Sequence, residues 1–223
     1  MPKRATIEFV SASEKKGICL QFGGEPYGLS PELWPKSKEV GEPMQFICQI
    51  PFGPDLFPGV EESVAYLFMT RSDVDGTWLP DGGENSLVIL PRERITATTT
   101  VGDAPRICRM VKRWWSSKLV PQACVFSAKL TFSDDPEFMS ENQLRQRSSA
   151  EVENYRNSLE GNKLGGSPWF IQGDELPFAE AWHLLLQLDS ARIPFWINFG
   201  DAGVGYAFIN KNGTQGKFLW QCL

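Results

Sequence analysis

Leu164-Gly-Gly-Ser-Pro168, then Trp182-His-Leu-Leu-Leu-Gln-Leu188, then Tyr206-Ala-Phe-Ile209: the same order is met earlier as Phe22-Gly-Gly-Glu-Pro26, Met44-Gln-Phe-Ile-Cys-Gln-Ile50 and Tyr66-Leu-Phe-Met69. Each series runs from a Gly-Gly-x-Pro turn, through an apolar run ending in Gln and an aliphatic residue, to Tyr-x-Phe. Pro26 and Gln49 are 23 positions apart and Pro168 and Gln187 are 19 apart, a difference that loops absorb. Gly-Gly-x-Pro joins a permissive backbone to a fixed φ, the chemistry of a tight turn at a strand end. Gln49 and Gln187 sit at the ends of apolar runs, and a buried amide there must find hydrogen-bond partners, either in a neighbouring loop or in a ligand. The echo predicts two pseudo-repeated β-rich halves, about 18–91 and 162–223, within a single domain spanning 1–223.

Outside the echo, 20 Gly and 16 Pro break the chain into short segments. Runs such as Ile7 to Val10, Leu87 to Leu90, Cys124 to Phe132 and Phe218 to Cys222 have the length and the β-branched and aromatic content of strands. Helical patterning is confined to the middle. Asp103 to Leu119 places Ile107, Met110, Val111, Trp114 and Trp115 at spacings of three and four; Asp134-Asp-Pro-Glu137 reads as a helix start; and Ser149 to Gly161 reads as a helix with a Ser cap and a Gly stop. The expected class is α+β, mostly antiparallel strands in two halves joined by a helical connection at about 92–161.

The composition, 42% hydrophobic and 22% charged over 223 residues, excludes intrinsic disorder and fibrous architectures. With 22 Lys+Arg against 27 Asp+Glu the net charge is -5, which argues against a protein devoted to the nucleic-acid backbone. Glu8 interrupts the start where a signal peptide needs an apolar stretch, and no apolar run approaches the ~20 residues of a spanning helix. Five scattered cysteines, none in a C-x-x-C pair, fit buried thiols in a reducing compartment. A cytoplasmic protein with no membrane partner is therefore expected.

Chemistry is thinly represented. The single His, His183, lies inside an apolar run and is the only imidazole on which a nucleophile–base set could be built, so an enzyme would have to use His183 with a nearby carboxylate or thiol. Asp73-Val-Asp-Gly76 does not complete a calcium loop in any register, and Gly200-Asp-Ala-Gly-Val-Gly205 lacks both the dinucleotide-binding spacing and a following helix. No catalytic residue, cofactor or metal site is expected. Charge is the remaining signal: Val60 to Leu90 carries six acids and one base, and Pro91 to Val120 seven bases and two acids. Asp73, Asp75, Asp81 and Glu84, or Asp174 and Glu175, are the candidate contacts for a basic protein partner, since such surfaces steer association. Lys112-Arg-Trp-Trp-Ser-Ser-Lys118 interleaves bases with aromatics, as a single-stranded nucleic-acid platform does.

Gly23-Gly-Glu-Pro26, Trp34-Pro35, Gly41-Glu-Pro-Met-Gln-Phe46, Gly165-Gly-Ser-Pro-Trp169, Gln172-Gly-Asp174, Leu185-Leu-Gln-Leu-Asp189 and Gly200-Asp-Ala-Gly203 together resemble the YwqG family. These are bacterial proteins distantly similar to eukaryotic programmed-cell-death-type proteins that assist ribosome assembly. The resemblance implies an α+β fold of two related halves and offers no catalytic residues to transfer. It also implies kinship with immunity proteins that neutralise toxins, nuclease toxins among them. The expected function is a non-catalytic protein-binding module, most specifically an immunity protein for a cognate toxin with a basic cleft. The alternative is an RNA- or ribosome-associated assembly factor using Lys112, Arg113, Trp114 and Trp115.

Overall fold

A computed structural model describes residues 1–13, 17–71, 74–95, 104–113, 118–177 and 181–223. Ten strands form one antiparallel sheet. They are β1 (Lys3–Ser11), β2 (Gln21–Gly23), β3 (Gln45–Phe52), β4 (Ser63–Met69), β5 (Asn85–Pro91), β8 (Val125–Asp134), β9 (Lys163–Gly165), β10 (Trp182–Asp189), β11 (Val204–Asn210) and β12 (Gly216–Gln221). A separate two-stranded hairpin holds β6 (Cys108–Lys112) and β7 (Leu119–Ala123), and the helices are α1 (Glu141–Leu144) and α2 (Ser149–Leu159).

The sheet order is β12-β11-β10-β9-β1-β8-β2-β3-β4-β5. Its centre is the long β1–β8 pair, in register from Lys3 opposite Asp134 to Ser11 opposite Phe126. The sheet curls until β12 lies against β5, where Gly216 abuts the Leu87 side chain, so its two edges meet in a barrel closed by packing. The inward residues, among them Ile7, Phe22, Ile50, Leu67, Leu186, Ala207 and Phe218, form the main core and leave the barrel solid. The outer faces are covered as well. The loop after β2 brings Leu29, Trp34 and Met44 over Phe46, Tyr66 and Phe68, and the loop after β9 brings Trp169 and Phe170 over Leu184, Tyr206 and Phe208. Burial on both faces is why these strands read as continuous apolar runs rather than alternating ones.

The Gly-Gly turns sit where backbones converge. Gly23 and Gly24 have φ of 71° and 70°, and Gly165 and Gly166 have 69° and 78°, left-handed values that favour glycine. A Cβ on Gly23 would overlap the Cys124 carbonyl, and one on Gly165 would lie 2.6 Å from the Lys3 carbonyl. The two glutamines spend their amides on loop backbone. Gln49 Oε1 accepts from the Tyr27 N–H at 2.8 Å while its Nε2 donates to the Gly17 and Cys19 carbonyls; Gln187 Oε1 accepts from the Trp169 N–H at 2.8 Å while its Nε2 donates to the Leu159 and Gly161 carbonyls. Tyr66 and Tyr206 donate their hydroxyls to the carbonyls of the same residues, Tyr27 and Trp169.

Two expectations are corrected. The class is not α+β: strands dominate, and the α-helices among the described residues are one of 4 and one of 11 residues. Nor is the protein two halves joined by a helical connection. The segment 92–161 contributes β8, which pairs with β1 at the middle of the sheet, so both flanks hang from one central pair. The stretch expected as a helix over 103–119 is extended wherever it is described, because it pairs along its length: Arg106 bridges Phe46, Cys108 bridges Trp196, and Met110 and Val111 face Pro121 and Val120. Its Trp114 and Trp115 lie outside the described residues. Asp134 ends β8 instead of opening a helix, and α1 starts only after the Ser140 capping box; α2 is capped by Ser148 with Glu151.

Candidate functional site

The C-terminal ends of β4, β10 and β12 and the starts of β3, β5, β8 and β11 share one end of the barrel, as their registers require. Ile107, fully buried, plugs this end together with Phe195 and Phe199. The chain is anchored on both sides of that plug. Gln45 Nε2 donates to the Arg106 carbonyl at 2.8 Å, the Cys124 N–H donates to the Ile107 carbonyl, and the Trp196 N–H donates to the Cys108 carbonyl at 2.8 Å. From this base the β6–β7 hairpin projects as an arm in which no described residue is buried.

The pleat sorts the arm into two faces. Cys108, Met110 and Lys112 share one with their partners Ala123, Pro121 and Leu119; Arg109 and Val111 share the other with Gln122 and Val120. Met110 is 51% exposed and Leu119 58%, and Trp196, at the arm's base, is 50% exposed. The turn between β4 and β5 stands at the same end with Trp78 and Leu79 exposed beside Asp75 and Asp81. Trp78 meets the edge of Trp220, whose ring stacks on Phe199. Isolated exposed apolar residues are ordinary; the loops at this end of the barrel carry five large ones.

Charge sharpens this end. No acid occurs between Ala104 and Ser133, whereas Arg106, Arg109, Lys112, Arg113, Lys118 and Lys129 all do. Arg106 is held by Glu25 at 2.5 Å; Arg109 and Lys112 have no acidic partner among the described residues.

The acids expected to form a contact surface are dispersed. Asp73 lies outside the described residues. Asp75 is exposed on the β4–β5 turn, and Asp81, also exposed there, pairs with Lys217. Glu84 is buried and unavailable to a partner: its carboxylate accepts from Ser37 Oγ at 2.6 Å, Thr70 Oγ1 at 2.7 Å and the Glu39 N–H at 2.9 Å. Burial works to raise its pKa, but these hydrogen bonds outweigh it and hold the carboxyl below its ordinary range. Asp174 accepts from the Glu141 N–H at the start of α1 and Glu175 from Gln221 Nε2 on β12, so both tie the loop that covers β10 to β12 to its neighbours.

His183 lines a groove of about 490 Å³ at the opposite end of the barrel, with Phe57, Lys3, Glu137 and Ser167. Its ring centroid is 5.4 Å from that of Phe57, and burial lowers its pKa, which favours the neutral imidazole. No hydrogen bond joins it to a carboxylate or thiol among the described residues. Nor, among those residues, do three or more His, Cys, Asp or Glu side chains gather as a metal site. One charged cluster has a buried centre among the described residues: Lys163 Nζ is 2.8 Å from Asp135 Oδ2 and the partly exposed Arg4 Nη1 is 2.8 Å from Oδ1, tying β1 and β9 to the end of β8. Burial pulls the Lys163 ammonium down to about 8 despite that carboxylate. With its side chain 2% exposed, Lys163 is closed to any ligand.

Sequence reasoning missed Met110, Leu119 and Trp196 as surface residues. The signal that could have found the arm is Pro121 inside an apolar run, which fits an edge strand and not a buried one. The chain matches a family model described as a domain of unknown function, DUF1963, over residues 21–217. No curated protein matches it.

Proposed function

We propose that this chain, which belongs to the DUF1963 family, is a non-catalytic protein-binding module that presents the arm end of its barrel to a partner. The observation that carries the reading is the exposure of Met110, Leu119 and Trp196 on an arm whose base is rigidly pinned. Fully covering a side chain of this size is worth about 1.5–3 kcal/mol, so three such anchors are sufficient for a hot spot. The narrower form is the neutralisation of a toxic effector, plausible in chemistry because Asp75 and Asp81 flank Trp78 and Leu79 at the same end and suit a basic cleft. The resemblance to the YwqG family supports it.

Co-expression of the full chain with the product of the neighbouring gene tests the reading. A complex that survives purification, protection from toxicity, and loss of both on Met110→Ser plus Leu119→Ser are expected. No complex and no protection would remove the toxin role. A second reading, an RNA- or ribosome-associated assembly factor, draws on the acid-free stretch around Arg109, Lys112 and Arg113. It requires RNA affinity that falls steeply with salt and is lost on Lys112→Glu plus Arg113→Glu.

A further inference from the structure

The outer edge of β6 is where the arm's backbone is still open. Cys108 bridges Trp196 on that edge and accepts the Trp196 N–H there. An antiparallel ladder points alternate residues to alternate sides, so the N–H and C=O groups of Met110 and Lys112 face the same outer edge as the Cys108 carbonyl. Arg109 and Val111 turn theirs inward, toward Gln122 and Val120. No described residue pairs with Arg109–Lys112 beyond β7. The other edge of the arm is different. Pro121 faces Met110 across the ladder, so the missing N–H is one that would have pointed outward from β7. One edge of the arm is therefore blunted and the other is open, an asymmetry that directs an incoming strand to β6.

We infer that the β6 edge from Arg109 to Lys112 binds an extended, acidic segment of a partner protein by strand addition, continuing the pairing that Trp196 begins at Cys108. The inference rests on the partner-binding reading above and names its mode. Charge selects the occupant: Arg109 on one face and Lys112 on the other lack acidic partners among the described residues, and no acid lies within the stretch from Ala104 to Ser133. An added strand places its side chains opposite both faces, so acidic residues meet Arg109 and Lys112 while an apolar residue meets Met110 beside Trp196. Main-chain hydrogen bonds then supply affinity, and the alternation supplies selectivity.

The test is selection of displayed random nonapeptides on the full-length protein, followed by solution affinities of the selected peptides. Peptides with two Asp or Glu residues three positions apart and an apolar residue between them are expected, with at least tenfold weaker binding after a single backbone N-methylation on the paired edge. Met110→Pro is the discriminating variant. It deletes an outward N–H without removing a bond to β7, so the hairpin keeps its ladder while binding falls at least tenfold; Met110→Val retains binding. Arg109→Glu plus Lys112→Glu weakens the acidic peptides to a similar extent. Basic peptides, no selected peptide, indifference to N-methylation, or an arm that takes up only polyuridylate would each overturn the inference. A neighbouring-gene complex lost on Met110→Ser plus Leu119→Ser but unaffected by Met110→Pro would leave the docking reading standing and overturn strand addition alone.

Discussion

Replacing Gln187 by Leu keeps the volume of a completely buried side chain and removes all three of its hydrogen bonds. The groups left behind are the Trp169 N–H, which loses an acceptor at 2.8 Å, and the Leu159 and Gly161 carbonyls, which each lose a donor at 2.9 Å. An unsatisfied buried group costs about 1–3 kcal/mol, and some of the three will recover partial partners as the loop relaxes, so a net loss of about 3 kcal/mol is expected. For a chain of this length that lowers Tm by roughly 6–12 °C. Urea unfolding followed by far-UV circular dichroism and tryptophan fluorescence reads it as a lower midpoint at constant slope. Gln49→Leu should cost a similar amount, because Gln49 holds Tyr27, Gly17 and Cys19 in the same way. Gln187→Glu adds a sign test. It retains an acceptor for Trp169 but turns a carboxylate on two carbonyls in a buried site, so the folded pKa of the new group is raised. Its deficit then grows as pH rises above the unfolded glutamate value of about 4.3. A loss below about 1 kcal/mol for Gln187→Leu, well short of a single unsatisfied group at full cost, would refute the claim that this amide fixes the loop.

Other outcomes follow from the same contacts. Lys163→Met leaves Asp135 buried with Arg4 as its remaining cation and should cost about 3 kcal/mol. The unfolded lysine keeps its proton to about 10.4, whereas the folded one releases it from about 8, so the wild type gains stability relative to the variant as pH rises through that window; an unchanged gap from pH 8 to 10 in urea titrations refutes this. Glu84 has the same sign, exercised in the acid range. Its depressed pKa contributes stability above the unfolded carboxyl value that is lost as pH falls through the folded one, so Glu84→Gln should start less stable at pH 7 and show a shallower acid limb in thermal melts. Gly166→Ala would overlap Asp135 Oδ2 at positive φ and should unfold the protein at markedly lower urea. Gly173→Ala, at φ 107° with open space around the new Cβ, should incur backbone strain alone, about 1–3 kcal/mol. Equal midpoints for the two alanine variants would contradict the close approach at Gly166.

The strands of the barrel wall were legible because burial on both faces leaves a local mark: Gln45–Phe52 and Ser63–Met69 are apolar almost throughout. The glutamines were legible as residues needing partners, since an amide ending such a run has few alternatives. What joins the flanks was not legible, because the β1–β8 register couples Lys3 to Asp134 across more than half the chain and leaves no periodic trace in either segment. The arm misread as a helix shows a different failure. Ile107, Met110 and Val111 satisfy a helical spacing, yet Ile107 is a barrel plug and Met110 an exposed arm residue, so a spacing of three arose from two unrelated environments.

The two charge blocks show how a pattern visible in sequence acquires meaning only through the fold. Opposite charge in adjacent segments suggests mutual neutralisation, and Glu62 with Arg92 does join the blocks at 2.8 Å. Elsewhere the partners come from other parts of the chain: Asp81 takes Lys217 and Arg106 takes Glu25. The barrel separates the rest by putting Asp75 and Asp81 on the β4–β5 turn and Arg109 and Lys112 on the β6–β7 arm, both at one end but on different loops. Asp75 and Arg109 consequently keep opposite signs on two loops at one end of the barrel, where Trp78, Leu79, Met110, Leu119 and Trp196 are also exposed. A net charge of -5 thus describes the molecule poorly where it matters. On the proposed reading, a partner docking at this end would meet a basic arm and an acidic turn together, and only a surface carrying both complements in the right order would satisfy them, which would make selectivity a property of how the fold spaces the charges rather than of their sum.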